Sequence, residues 1–214
     1  MDWEKVITLF VVLIISLTVH EASHGLFAWL GGDRTAKDAG LVTINPIPHM
    51  RREPIGMILI PVVVLYLSKG AYCFGGASAP IDPYWAARYP KKAALMSAAG
   101  PLANVVLAAI AFGVLYFIGR PVPESTEMAI GQIAWVFVWL NMLLALFNLI
   151  PLPPFDGAGI VHGLLPSSGR IYGAYQKLPL YFIVSMIAAS YLVGLVLFPM
   201  AREVRSWLQW PYWQ

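Results

Sequence analysis

Residues 6–30, VITLFVVLIISLTVHEASHGLFAWL, hold an uncharged run from Val6 to Val19, then His20-Glu21-Ala22-Ser23-His24, then apolar sequence again through Leu30. At about 1.5 Å of rise per residue the stretch is long enough to cross the ~30 Å hydrocarbon core of a bilayer, so it reads as a transmembrane helix. His20 and His24 lie one turn apart on one face of that helix. In this H-E-x-x-H spacing two imidazoles can grip one metal, and Glu21 beside them can act on a bound water. An ionisable side chain at bilayer depth costs about 2.5–3.5 kcal/mol on insertion scales, so three on one turn need a partner such as a metal. The bland alternative is a helix end whose His and Glu snorkel to water, and the same cost weighs against it.

Two neutral imidazoles leave a catalytic metal short of a third protein ligand and an open position for water. A candidate lies far downstream. The uncharged run Met128–Ile150 ends in Asn148-Leu149-Ile150-Pro151-Leu152-Pro153-Pro154-Phe155-Asp156-Gly157. Its prolines remove backbone donors and break the helix, which at membrane depth is tolerated only where the backbone is buried in protein or lines a wet cavity. Asp156 is therefore carried on irregular backbone that needs polar company. By itself the segment would read as an ordinary Pro-rich turn at a membrane surface.

Together, His20-Glu21-x-x-His24 and Asn148-x-x-Pro151-x-Pro153-x-x-Asp156-Gly157 resemble the paired motifs of the site-2 protease family, the intramembrane zinc metalloproteases of peptidase family M50. Ser97-Ala98-Ala99-Gly100-Pro101-Leu102-Ala103-Asn104 is similar to the small-residue motif on the core helix between them. Asn45-Pro46 with His49, and His162-Gly163-Leu164-Leu165-Pro166, extend the likeness over most of the chain; Phe155 stands where the family often has Leu. The resemblance is to the short subgroup without PDZ or CBS domains. It implies one Zn2+ per chain held by His20, His24 and Asp156, with Glu21 as general base and Asn148 hydrogen-bonding the substrate, although the type and place of Asn148 suit helix packing equally. The implied activity is hydrolysis of a peptide bond within or near transmembrane segments of membrane-protein substrates. The rival reading is a non-catalytic metal-binding membrane scaffold or a metal transporter, which would have no need of Glu21 beside the metal.

Composition agrees with an all-α polytopic membrane protein formed as one domain over residues 1–214: 59% of residues are hydrophobic, 12% are charged and the mean hydropathy is +0.69. The net charge of +3 is small and scattered, which argues against a nucleic-acid partner and leaves the lipid bilayer and transmembrane substrates. Cys73 is single and forms no intramolecular disulfide. The N-terminus lacks a basic region, so the first apolar run should be a retained helix rather than a signal peptide. Four segments are long enough to span: Val6–Leu30, Ala93–Ile118, Met128–Ile150 and Leu180–Met200. A fifth, Pro54–Leu67, is short and contains Pro61, and reads as re-entrant or interfacial. If it does not cross, Asp156 emerges in the same membrane half as the histidines; if it does, Asp156 emerges about a bilayer thickness away. Arg34, Lys37, Arg51, Arg52, Lys69, Arg88, Lys91 and Lys92 all fall between residues 31 and 92, while 119–127 has Arg120 with Glu124 and Glu127. The positive-inside rule then puts 31–92 in the cytoplasm and the active site in the cytoplasmic half of a cell (plasma or inner) membrane.

Gly40-Leu41-Val42-Thr43-Ile44 has strand-forming residues between turn formers, and by resemblance it would be a small β-loop pairing with unwound substrate. Tyr84, Trp85, Tyr89, Trp207, Trp210 and Trp213 are placed as an aromatic belt. Asn104 is expected to tie core helices together, and His49 and His162 are assigned no ligand role.

Overall fold

The computed structural model describes residues 2–119 and 125–208. The first helix, α1 (Trp3–Gly31), is capped at its start by Asp2, which accepts from the Lys5 amide, and stopped by Gly32 at φ 109°. Two short helices follow, α2 (Thr35–Asp38) and α3 (Pro46–Arg52). A π-helical turn, Ile55–Leu59, then runs into α4 (Ile60–Leu67). Residues 72–82 run extended without a strand partner, tied to the π-helical turn by the Gly76 N–H on the Gly56 carbonyl, and α5 (Pro83–Arg88) leads into α6 (Pro90–Ile118). Next come α7 (Thr126–Asn148), α8 (Asp156–Leu164), a 3-10 turn at Pro166–Ser168, α9 (Gly169–Gln176) and α10 (Tyr181–Leu208).

Among the described residues, four helices are long and apolar enough to cross a membrane: α1, α6, α7 and the Tyr181–Met200 part of α10. The chain is an integral membrane protein, and its spans begin and end within a few residues of the sequence-based limits. Ile55–Leu67 is apolar but, at about 1.5 Å per residue, only about 20 Å long.

The core forms where α1, α6 and α7 meet. Val12, Leu13, Ile14 and Leu17 of α1 pack with Met57 and with Leu140 of α7. Ala111 and Leu115 of α6 meet Ala134, Trp135 and Val138 of α7. Ala189 and Val193 hold α10 against Ile150, at the foot of α7. Small residues at these contacts let the helix backbones approach closely, which in lipid substitutes for a hydrophobic driving force.

The fold corrects two sequence-based expectations. Gly40–Ile44 forms turns and bends, and no strand occurs among the described residues. A strand needs a hydrogen-bonded strand neighbour, and here the bonds go elsewhere: the Gly40 and Leu41 amides turn back to the Lys37 and Ala36 carbonyls, Thr43 Oγ1 accepts from the Asn45 amide, and His49 Nε2 lies 3.0 Å from the Thr43 carbonyl oxygen. Trp85 is 7% exposed rather than part of an outer belt: its indole N–H donates to the Gly31 carbonyl at 3.2 Å and closes the end of α1. Tyr84 is exposed and Tyr89 carries Lys92 over its ring. Arg120, Glu124, Trp210 and Trp213 lie outside the described residues, as does the Trp207 side chain.

Candidate active site

Once α1 is helical, its sequence puts both imidazoles on the face that meets α6. His20 and His24 are 4% and 5% exposed, with their Nε2 atoms 3.0 Å apart. Asp156, at the first position of α8, brings Oδ2 to 3.1 Å from His20 Nε2 and 3.2 Å from His24 Nε2.

Glycines bring α8 to that position. A Cβ on Gly163 would strike the Pro90 carbonyl oxygen and the Ala94 backbone nitrogen of α6, and one on Gly159 would come within 2.5 Å of Ser97 Oγ. A Cβ on Gly157 would strike the Leu149 and Ile150 carbonyl oxygens. With glycine at all three positions, α8 lies flush on α6 and folds tightly back under α7. The proline turn leading into α8 has the polar company that its depth demands. Ser185 Oγ of α10 donates to the Pro153 carbonyl at 2.5 Å, and the Tyr172 hydroxyl of α9 donates to the Pro151 carbonyl at 3.2 Å. Phe155 packs edge-on against Phe147, an apolar contact that suits the residue's departure from Leu.

Several features fit this donor set to zinc. One ligand atom from each of His20, His24 and Asp156 can be chosen so that all lie within 4.8 Å of one another. In a tetrahedral site with bonds of about 2.1 Å, ligand atoms stand about 3.4 Å apart, close to the separations found here. His24 Nδ1 lies 2.7 Å from the Met96 carbonyl oxygen, which can only accept, so its proton sits on Nδ1 and the Nε2 lone pair faces the other donors. Gly100 of α6 opens the space: a Cβ there would run into His24 Nε2 and stand 2.6 Å from His20 Nε2. Glu21 is 4% exposed, and its Oε2 has no hydrogen-bond partner among the described residues. A buried carboxylate oxygen left free beside three metal-type donors is available for a proton on water.

A cavity of about 570 Å³ opens on this cluster. Leu13, Leu17 and the histidine turn of α1 form one wall, Leu140–Asn148 of α7 with Phe182 and Met186 of α10 a second, and the extended residues 73–79 a third. Cys73 borders it, but burial pushes its thiol up to about 12, so it is no thiolate nucleophile at neutral pH.

The structure thus gathers His20, Glu21, His24 and Asp156 at one point. Asn148 borders the cavity, with its amide nitrogen donating to the Leu144 carbonyl at 3.0 Å. His49 is buried within electrostatic reach of Glu21 but outside the three-donor cluster, with Nε2 against the Thr43 carbonyl, and His162 is exposed and packs near Gly169. Sequence reading took Gly100 only for close helix packing and passed over Asn141. The signal for Asn141 was its type: like Ser16 and Asn104, it is a polar side chain within a membrane-spanning helix, and all three are 0% exposed.

A His-His-Asp donor set with a buried glutamate beside it, in a chain with membrane-length helices, has the composition that a membrane zinc metalloprotease requires. The family model "Peptidase family M50" matches residues 8–134 and 118–190, and this chain belongs to that family. It is 33% identical over 202 residues to "Putative zinc metalloprotease YwhC" of Bacillus subtilis (strain 168), covering 92% of this chain and 87% of that one. It is 30% identical over 146 residues to "Putative zinc metalloprotease Rip2" of Mycolicibacterium smegmatis, covering 68% of this chain but 52% of the relative. To the Rip2 protein of Mycobacterium tuberculosis (strain H37Rv) it is 25% identical over 182 residues, covering 85% of this chain and 66% of the relative. No solved structure matches significantly.

Proposed function

We propose that this metalloprotease hydrolyses peptide bonds within or near transmembrane segments of other membrane proteins, with His20, His24 and Asp156 as zinc ligands and Glu21 as general base. The observation that carries the reading is the meeting of Asp156 with the two histidines inside α1, a helix of membrane-spanning length, at an apolar-walled cavity. Zinc, when bound, supplies a water acidified towards a pKa of about 7 and polarisation of the scissile carbonyl. Glu21 accepts the water's proton on its free carboxylate oxygen and delivers it to the nitrogen of the leaving amine. The imidazoles and Asp156 keep their geometry because their supporting contacts are on rigid helices. Asn148, on the cavity wall, donates to or accepts from the substrate backbone.

An intact substrate helix shields its peptide bonds with i to i−4 hydrogen bonds, so the substrate unwinds before reaction. The expected β-pairing therefore moves from 40–44 to the extended residues 73–79, which border the cavity and whose edge can pair with an unwound chain. Ile55–Leu67 enters and leaves on one face, 31–92 is cytoplasmic, and the site lies in the cytoplasmic half of the membrane. The shortness of that helix and the parity argument on Asp156 support this topology.

His20→Ala, His24→Ala and Asp156→Ala should each lose zinc by metal analysis, and full occupancy in Asp156→Ala would refute the ligand set. Trapping with Glu21→Gln in native membranes, followed by mass spectrometry, should recover proteins cut inside or beside apolar segments; cuts confined to distant soluble loops would overturn the substrate class. Single cysteines near Arg51 and Lys92, in a Cys73→Ser background, should react with an impermeant thiol reagent from the same, cytoplasmic, side.

A further inference from the structure

A chain of buried amides crosses the core from α7 to the histidine turn. Asn141 Nδ2 lies 2.9 Å from the Phe137 carbonyl and 2.9 Å from Ser16 Oγ. Asn141 Oδ1 faces Asn104 Nδ2 at 2.8 Å, and Asn104 Oδ1 faces His20 Nδ1 at 2.5 Å. Asn104 Nδ2 also points at the Ser16 carbonyl, 3.5 Å away. Ser16, Asn104 and Asn141 are 0% exposed, so no water can take over a failed bond.

The direction of this chain is fixed at its far end. The Phe137 carbonyl can only accept, so the nitrogen of Asn141 must face it and its oxygen must face Asn104. Asn104 then has to present its nitrogen to Asn141 and its oxygen to His20. An oxygen there requires a proton on His20 Nδ1, whether the ring is neutral or charged. Reversing Asn104 would set two oxygens or two NH2 groups against each other unless Asn141 reversed too, and that would press its oxygen onto the Phe137 carbonyl. His24 needs no such relay, because the Met96 backbone carbonyl sets its tautomer directly.

We propose that Asn104 and Asn141 are positioning residues that relay the polarity of the Phe137 carbonyl to His20, holding its proton on Nδ1 and its Nε2 lone pair towards the metal. The inference rests on the ligand role proposed above for His20. Asn141 touches no ligand, yet its loss leaves Asn104 oriented only by the long 3.5 Å contact with the Ser16 carbonyl, so its NH2 can turn towards His20 and favour the wrong tautomer.

The test is zinc affinity, read by competition with a chelator on the full chain in detergent, alongside thermal unfolding of the zinc-free protein. Asn141→Leu should weaken zinc roughly 10- to 100-fold, the usual cost of losing an outer-shell partner. Adding Asn104→Asp to Asn141→Leu should restore most of that affinity, because a carboxylate offers His20 an acceptor whichever way it turns. A purely packing role predicts the opposite, since a carboxylate in a damaged core is worse than an amide. Wild-type affinity in Asn141→Leu, or a loss that Asn104→Asp does not repair, overturns the proposal. Unsubstituted protein with 15N-labelled histidine gives a check independent of how the variants fold: His20 should carry its proton on Nδ1 without zinc, and a neutral Nε2–H ring would overturn the relay. If zinc leaves the His20 Nε2 resonance unmoved, the ligand assignment fails instead.

Discussion

Two sides of the cavity are unlike. On the α1, α6 and α8 side, Gly163 lies against the Pro90 and Ala94 backbone, Gly100 against both imidazoles and Gly159 against Ser97, and the ring nitrogens of His20 and His24 all have polar neighbours. On the 55–82 side, the π-helical turn meets an extended strip through Gly76 N–H to the Gly56 carbonyl at 3.1 Å, and the strip is tied to the end of α3 by the Ser78 hydroxyl donating to Glu53 at 2.8 Å. The first wall has no room to move and fixes atoms to within the tolerance of metal ligation. The second leaves backbone edges open, as a surface that must accept varied chains requires. Rigidity and free valence are thus segregated to different parts of one cavity lining.

The largest expected effect breaks the rigid wall's chemistry without its geometry. Glu21→Gln should retain zinc by metal analysis yet lose about 10²–10⁴-fold in turnover, since an amide cannot take the water's proton. Near-normal cleavage would end the general-base role. Gly100→Ala should instead damage the geometry, its methyl meeting both imidazoles, with zinc affinity falling roughly 10- to 100-fold from an overpacking cost of about 1–3 kcal/mol. Gly76→Ala makes the matching change on the open wall, where a Cβ meets nothing within 4 Å, and should leave zinc binding and stability within about 0.5 kcal/mol. Equal sensitivity at the two positions would erase the contrast between the walls.

A smaller effect should separate binding from chemistry. A Cβ on Gly56 would strike the Gly76 carbonyl oxygen, so Gly56→Ala should loosen the strip, raising KM roughly three- to tenfold with zinc content unchanged. A fall in zinc content would show that the strip also supports the metal site.

The smallest effect is at the cytoplasm-facing end of α1 in the proposed topology. Burial pushes the Asp33 carboxyl up, but hydrogen bonds from the Thr35 hydroxyl and from the Asp82 and Thr35 amides outweigh it and hold it below its ordinary value. A depressed carboxyl contributes stability that is present above its unfolded pKa and lost as pH falls through the folded one. Asp33→Asn should therefore cost about 1 kcal/mol at neutral pH, with the difference from wild type shrinking below pH about 4 in thermal scans. A difference that persists unchanged at low pH would assign the effect to shape alone.

How much of this was legible in the sequence differs element by element. The spans could be read because a bilayer imposes length and apolarity on every residue of a crossing helix, a local constraint. His20, Glu21 and His24 could be read because helical periodicity alone brings i and i+4 together. The likeness of the Pro-rich segment to a known motif pointed to Asp156, 132 positions beyond His24, but helical periodicity could not have brought it there. Trp85 was misplaced as a belt residue because an aromatic near a helix end satisfies both readings until its partner, the Gly31 carbonyl, is known. The strand at Gly40–Ile44 failed for a related reason: strand propensity is local but pairing is not.

By itself, then, the sequence determined a membrane-spanning helical chain with two imidazoles on one helical turn and a distant acidic candidate, since these follow from composition, period and motif. Only the tertiary structure decided that α8 lies flush on α6, that Gly100 makes room for two imidazoles, and that Asn141 reaches His20 through Asn104. Those are contacts between segments far apart in the chain, set by which backbones can approach closely and by which buried donors find acceptors, and no local pattern encodes them.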